Sequence, residues 1–194
     1  MKNIKTFIGE SILKYSKLGM NIVFKPQQYL KEGKITYTGE ANETGIVIAT
    51  QGDIMTWIQV FVHETCHLDQ CIQRPKWFNN SDAYLNDFNI WLKGETVKNI
   101  RKTVAKIIEL EHDCEERSIE KIKKNKLEIN LKTYTQQSNA YLLGYMASKK
   151  NKKWTDKPYE NKELYMKLPS KLMSLKELKD PDWEKLGMSS MIIK

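Results

Sequence analysis

Apolar residues recur at helical spacing at the start of the chain, where Ile4, Phe7, Ile8, Ile12 and Leu13, with Tyr15 nearby, are interleaved with polar residues. That pattern predicts an amphipathic first helix ending near Gly19. Three short runs follow, residues 21–25, 34–38 and 45–50, rich in β-branched residues and separated by Pro26, Gly33, Gly39 and the polar stretch 40–44. They predict a small antiparallel sheet.

Helical spacing returns after Gly52. Asp53 is a candidate N-cap for a helix starting at Ile54, lined by Trp57, Ile58, Phe61 and Val62 and ended after Gln73 by Arg74-Pro75. Residues 76–82 read as a loop, and Tyr84, Leu85, Phe88 and Trp91 predict a short helix closed by Gly94. From Glu95 to about Lys124 there is neither Gly nor Pro, and Val97, Ile100, Val104, Ile107, Ile108 and Leu110 keep a helical period. This stretch should form the longest helix. Residues 133–149 predict another, residues 149–159 are loop-like, and 164–194 offers short apolar pieces broken by Pro169, Pro181 and Gly187. The expected class is α+β: a small antiparallel sheet, a largely buried helix, then a mainly helical remainder. A length of 194 residues suits one domain over 1–160, with 161–194 as a C-terminal tail packing loosely around it.

The buried helix changes the picture, because it carries His63-Glu64-Thr65-Cys66-His67. In a helix, His63 and His67 stand one turn apart on one face, where both imidazoles can reach a single metal ion. Zinc binds neutral imidazole well and, in catalytic sites, keeps a position for water. Glu64 is placed to take that water's proton as general base. The chain has three histidines, and two fall in this pentapeptide between apolar Val62 and Leu68.

Catalytic zinc takes a third protein ligand, and the residues after His67 supply no further histidine at the spacing of HExxHxxGxxH. The candidates lie in Glu109-Leu110-Glu111-His112-Asp113-Cys114-Glu115-Glu116. Glu111 and Glu115 share a helix face with Ile108 and Ile122, and an acidic pair on an apolar stripe needs a partner such as a dication. Glu111 is expected as ligand and Glu115 as a group orienting a histidine, with an exchange of roles open. His112, about a quarter turn from Glu111, is the rival ligand. Glu116, Glu120 and the lysines of 121–126 read as a solvated, salt-bridged face.

The HExxH helix after a small sheet, followed by a helix bearing ExxxE at Glu111 and Glu115, resembles the gluzincin branch of zinc metallopeptidases. With Asn139-Ala140-Tyr141 and Tyr145, the chain is also similar to phage-type metallopeptidases. The resemblance implies a zincin-like fold, a Zn²⁺ cofactor, the first Glu of ExxxE as third ligand, and a peptide or protein substrate. Tyr141 and Tyr145 are candidate hydrogen-bond donors to the oxyanion of the tetrahedral intermediate. Two other readings stay open: a metal-stabilised binding protein without activity, and a nucleic-acid-associated regulatory protease.

Composition adds little to this chemistry. The net charge of +8 favours acidic partners, but the lysines are spread along the chain, as expected of a solvated surface. Lys149-Lys150-Asn151-Lys152-Lys153 beside Trp154, together with the lysines of 121–126, motivates the nucleic-acid reading. Cys66, Cys71 and Cys114 form no CxxC pair, and their odd number points to a reducing compartment and to packing roles. Lys5, Glu10 and Lys14 interrupt any apolar run of signal-peptide type, and no later run reaches membrane-spanning length. A soluble, cytoplasmic protein without a membrane partner is expected.

Overall fold

The structure is a computed structural model and describes residues 2–32, 35–155 and 157–192. The fold is mixed α+β, and the chain divides into two compact units.

The first unit comprises Met1–Phe78 and Arg117–Ile129. Helix α1 spans Lys2–Ser16 and buries Ile4, Phe7 and Tyr15, while Ile12 and Leu13 of the predicted apolar stripe are exposed. Five strands follow: β1 Asn21–Lys25, β2 Leu30–Glu32, β3 Ile35–Tyr37, β4 Gly39–Asn42 and β5 Gly45–Ala49. Strands β2 and β3 pair as an antiparallel hairpin, and the predicted run 34–38 is represented by β3, its first residue lying outside the described residues.

The main sheet has the order β1-β5-β4, and it corrects the expected antiparallel sheet: β4 runs antiparallel to β5, but β1 runs parallel to it. The central strand β5 is Gly-Ile-Val-Ile-Ala, apolar on both faces, as suits a strand paired on either side and covered. The stretch 40–44, expected to be a separator, instead contributes β4, because a sheet edge tolerates polar residues that a central strand does not. Gly45 sets the register of β1 on β5. Its φ is +143°, and a Cβ there would lie 1.9 Å from the Asn21 carbonyl oxygen, so only glycine fits.

Helix α2 spans Ile54–Gln73, and the Asp53 carboxylate caps it by accepting from the Met55 N–H at 3.0 Å. Its apolar face packs on the sheet through an aromatic cluster, with Phe61 5.4 Å from Phe24 and 5.7 Å from Phe7. Helix α4, Ile100–Lys124, runs unbroken through the chain division, and its residues from Arg117 belong to this unit. There Ser118 Oγ donates to Cys66 Sγ at 3.3 Å and Arg117 donates to Gln73 Oε1 at 2.8 Å.

Lys121 also turns inward onto α2. Its ammonium meets Asp69 Oδ2 at 2.8 Å and Thr65 Oγ1 at 3.0 Å, with its side chain 19% exposed. It therefore does not belong to the solvated face expected for 121–126. Asp69 also accepts from Lys14 and lies 2.9 Å from the Tyr15 hydroxyl.

The second unit comprises Asn79–Glu116 and Asn130–Lys194. Helix α3 spans Pro75–Leu92, so the expected loop at 76–82 is helical. Pro75 occupies the first helical position, where a missing N–H costs nothing, and Arg74 closes α2 by donating its N–H to the Gln70 carbonyl. The long helix α4 starts at Ile100 rather than Glu95, since Asn99 adopts a left-handed φ of 60°. Helix α5, Leu131–Asn151, begins on an Asn130 cap that accepts from the Thr133 N–H at 3.1 Å.

Beyond it lie α6 Lys162–Tyr165, α7 Leu175–Lys179 and a 3-10 turn at Ser189–Met191. This segment is not loosely packed. Leu168, Met173, Leu178, Met188 and Met191 are all buried in the same core as Phe88, Ile107 and Leu142. Asn139 of α5 holds the chain there: its amide donates to the Pro169 and Lys171 carbonyls, each at 3.0 Å, and its oxygen accepts from the Met173 N–H at 2.9 Å. Among the described residues, no helix is long and apolar enough to cross a membrane.

Candidate metal centre

Helix α2 brings His63, Glu64 and His67 together in the first unit. The imidazole planes are nearly perpendicular, with centroids 4.7 Å apart, and the two Nε2 atoms face each other at 3.0 Å. Two imidazole nitrogens each roughly 2.0–2.1 Å from one tetrahedral zinc would stand about 3.3 Å apart. The pair therefore fits a shared ion, and imidazole is a donor zinc accepts readily.

Glu64 is 8% exposed. It lies against strand β4 at Gly39. A Cβ on Gly39 would approach Glu64 Cγ to 2.9 Å and Val60 Cγ1 to 2.5 Å, so the missing side chain is what lets the carboxylate sit there. Periodicity marked Gly39 only as a strand separator; its place against Glu64 depends on a contact remote in sequence.

Gln70 is a second residue that sequence reasoning missed. It is fully buried, one turn after His67, and its Oε1 lies 2.8 Å from His67 Nδ1. An amide oxygen only accepts, so this contact is a hydrogen bond when the ring proton sits on Nδ1. A polar residue three positions after His67, beside apolar Leu68 and Cys71, was the available signal.

The other predicted residues belong to the second unit. Glu111 and Glu115 are 5% and 4% exposed, the burial that their apolar stripe predicts. Glu115 Oε2 accepts from Ser138 Oγ at 2.7 Å. His112 uses both ring nitrogens inside this unit: Nε2–H donates to the Met173 carbonyl at 2.9 Å and Nδ1 lies 3.8 Å from the Glu116 carboxylate. That engagement makes it a poor ligand. Glu109 is an ion-pair residue, bridging Lys106 and Lys179, and although burial raises its pKa, those two ammoniums bring it below the ordinary value.

Tyr141 and Tyr145 stand one turn apart on α5 with their hydroxyls 2.8 Å from each other and rings in edge contact at 5.4 Å. One hydroxyl donates to the other. The basic run 149–153 forms the C-terminal end of α5, where cations meet the negative end of the helix dipole. Burial, with Arg101 nearby, pushes the Lys149 ammonium below its ordinary pKa, and Lys152 lies 4.4 Å over the Trp91 ring. Lys150, Lys152 and Lys153 are exposed. All three cysteines are buried thiols outside any disulfide.

No protein-family model, curated protein or solved structure matches the chain.

Proposed function

We propose that this protein is a zinc-dependent metallopeptidase of gluzincin type, in which His63 and His67 hold the metal and Glu64 is the general base. The observation that carries this reading is the 3.0 Å approach of the two Nε2 atoms on a buried helix, beside a carboxylate that is itself 8% exposed. Glu111 is the third ligand in this reading, with Glu115 as an orienting carboxylate. Cys114, on the same helix, is its rival, because a thiolate suits zinc.

Bound zinc would supply Lewis acidity, lowering the pKa of a water and polarising a substrate carbonyl. Glu64 accepts a proton from the attacking water on its carboxylate and passes it to the leaving amine. Tyr141 or Tyr145 donates to the developing oxyanion, a role that requires a donor within about 3 Å. The substrate is a peptide or protein.

Elemental analysis of the purified protein tests the metal. About one zinc per chain is expected in the parent, falling in His63→Ala. A fall in Glu111→Ala with Cys114→Ser unchanged would assign the carboxylate; the reverse would assign the thiolate. Zinc-free parent protein would end the proposal, and zinc-loaded protein that cleaves no peptide would turn it into a structural metal site.

Gly39 offers a second check. Gly39→Ala is expected to lower kcat by roughly 10–100-fold through displacement of Glu64, with zinc content unchanged. An alanine variant of full kcat would detach Gly39 from the chemistry.

A further inference from the structure

The metal reading leaves one problem unsolved by the ligands themselves. An imidazole offers a metal a lone pair on one nitrogen only if its proton is held on the other, and free imidazole exchanges between the two tautomers. For His67, Gln70 decides this. We infer that Gln70 is a positioning residue, whose side-chain oxygen holds the His67 proton on Nδ1 and aims Nε2 at the ion. The inference rests on the proposed zinc site.

Three observations carry it. The Gln70 Oε1 to His67 Nδ1 distance is 2.8 Å, a full hydrogen bond. Gln70 has no exposed surface and His67 is half-buried, so competition from water for this bond is reduced. Gln70 is one turn beyond His67 on the same helix, so the pair moves as one rigid piece. The consequence is visible at the other end of the ring, where His67 Nε2 faces His63 Nε2 at 3.0 Å. In the neutral ring with its proton on Nδ1, that His67 atom carries the lone pair that a cation would take. An amide is also a weaker acceptor than a carboxylate, so it orients the ring without adding a negative charge beside the ion.

The test compares Gln70→Met, which removes the acceptor at similar volume, with Gln70→Glu, which keeps it. Zinc affinity is measured by competition with a chromophoric chelator, and the absorption bands of cobalt-loaded protein report ligand geometry. Gln70→Met is expected to bind zinc about 10–100-fold more weakly, with shifted cobalt bands, while Gln70→Glu binds as tightly as the parent or tighter. Equal affinity in Gln70→Met, or equal losses in both variants, would overturn the assignment. A purely structural role predicts that second pattern.

If Gln70→Met does not fold, the metal-free parent still decides the matter through its histidine ¹H–¹⁵N spectrum. His67 protonated on Nδ1 supports the inference and His67 protonated on Nε2 refutes it. The same spectrum separates the two claims. A parent that binds no zinc ends the metallopeptidase proposal, and the His67 tautomer then stands or falls by itself.

Discussion

Glu64→Gln is expected to lower peptide hydrolysis by about 10²–10⁴-fold while leaving zinc content and thermal stability near those of the parent. The argument is one of shape and charge. Glutamine keeps the volume of the side chain that lies against Gly39, so the contact between β4 and α2 survives. What is lost is a basic oxygen able to take and return a proton. The measurement is a set of peptide-cleavage progress curves for zinc-loaded parent and variant at equal metal content. Undiminished cleavage by the variant would remove Glu64 from the mechanism, and loss of zinc in the variant would show that Glu64 acts on the metal itself.

The second large effect concerns stability and lies elsewhere on α2. Lys121→Met is expected to cost about 3 kcal/mol, near the lower end for breaking a buried pair, because Lys14 and Tyr15 remain beside Asp69. For a chain of this size that is a fall of roughly 6–12 °C in Tm. Burial pushes the Asp69 carboxyl up, but the Lys121 and Lys14 ammoniums outweigh it and hold its pKa below the ordinary carboxylate value. Burial, reinforced by the Asp69 charge, raises the Tyr15 pKa, so its hydroxyl stays protonated and able to donate.

The pH dependence follows from the direction of the Asp69 shift. An unfolded aspartate titrates near roughly 3.9. Since the folded value is lower, the ion pair contributes fully above that pH and its contribution is lost as pH falls through the folded value. The stability gap between parent and Lys121→Met, measured by urea unfolding, should stay constant from pH 7 to 5 and narrow towards pH 3. A gap that shrinks between pH 7 and 5 would assign the effect to another group.

What could be read from the sequence was local. The Asp53 cap, the start and end of α2, the two histidines on one face and the buried stripe of Glu111 and Glu115 all follow from spacing within a single helix. What could not be read depended on distant partners. Strand β4 has no apolar signal of its own and exists by pairing with β5. The parallel pairing of β1 with β5 rests on a close approach at Gly45. Lys121 looks like any surface lysine until Asp69, far earlier in the chain, is placed beside it. Tyr141 and Tyr145 were visible as a pair one turn apart, but their mutual hydrogen bond was not.

The sealed thiols turn the protein into its own reporter of breathing. A thiol reagent reaches Cys66 only when the end of α4 lifts from α2, since the Ser118 hydroxyl lies 3.3 Å from that sulfur. Cys71, in the last turns of α2 and 8% exposed, needs only fraying of the helix end. Burial and the nearby Glu43 charge raise its pKa, which slows the chemical step without hiding the atom. Timed alkylation read by peptide mass should therefore tag Cys71 before Cys66, and the lag between them clocks how long the histidine helix stays clamped.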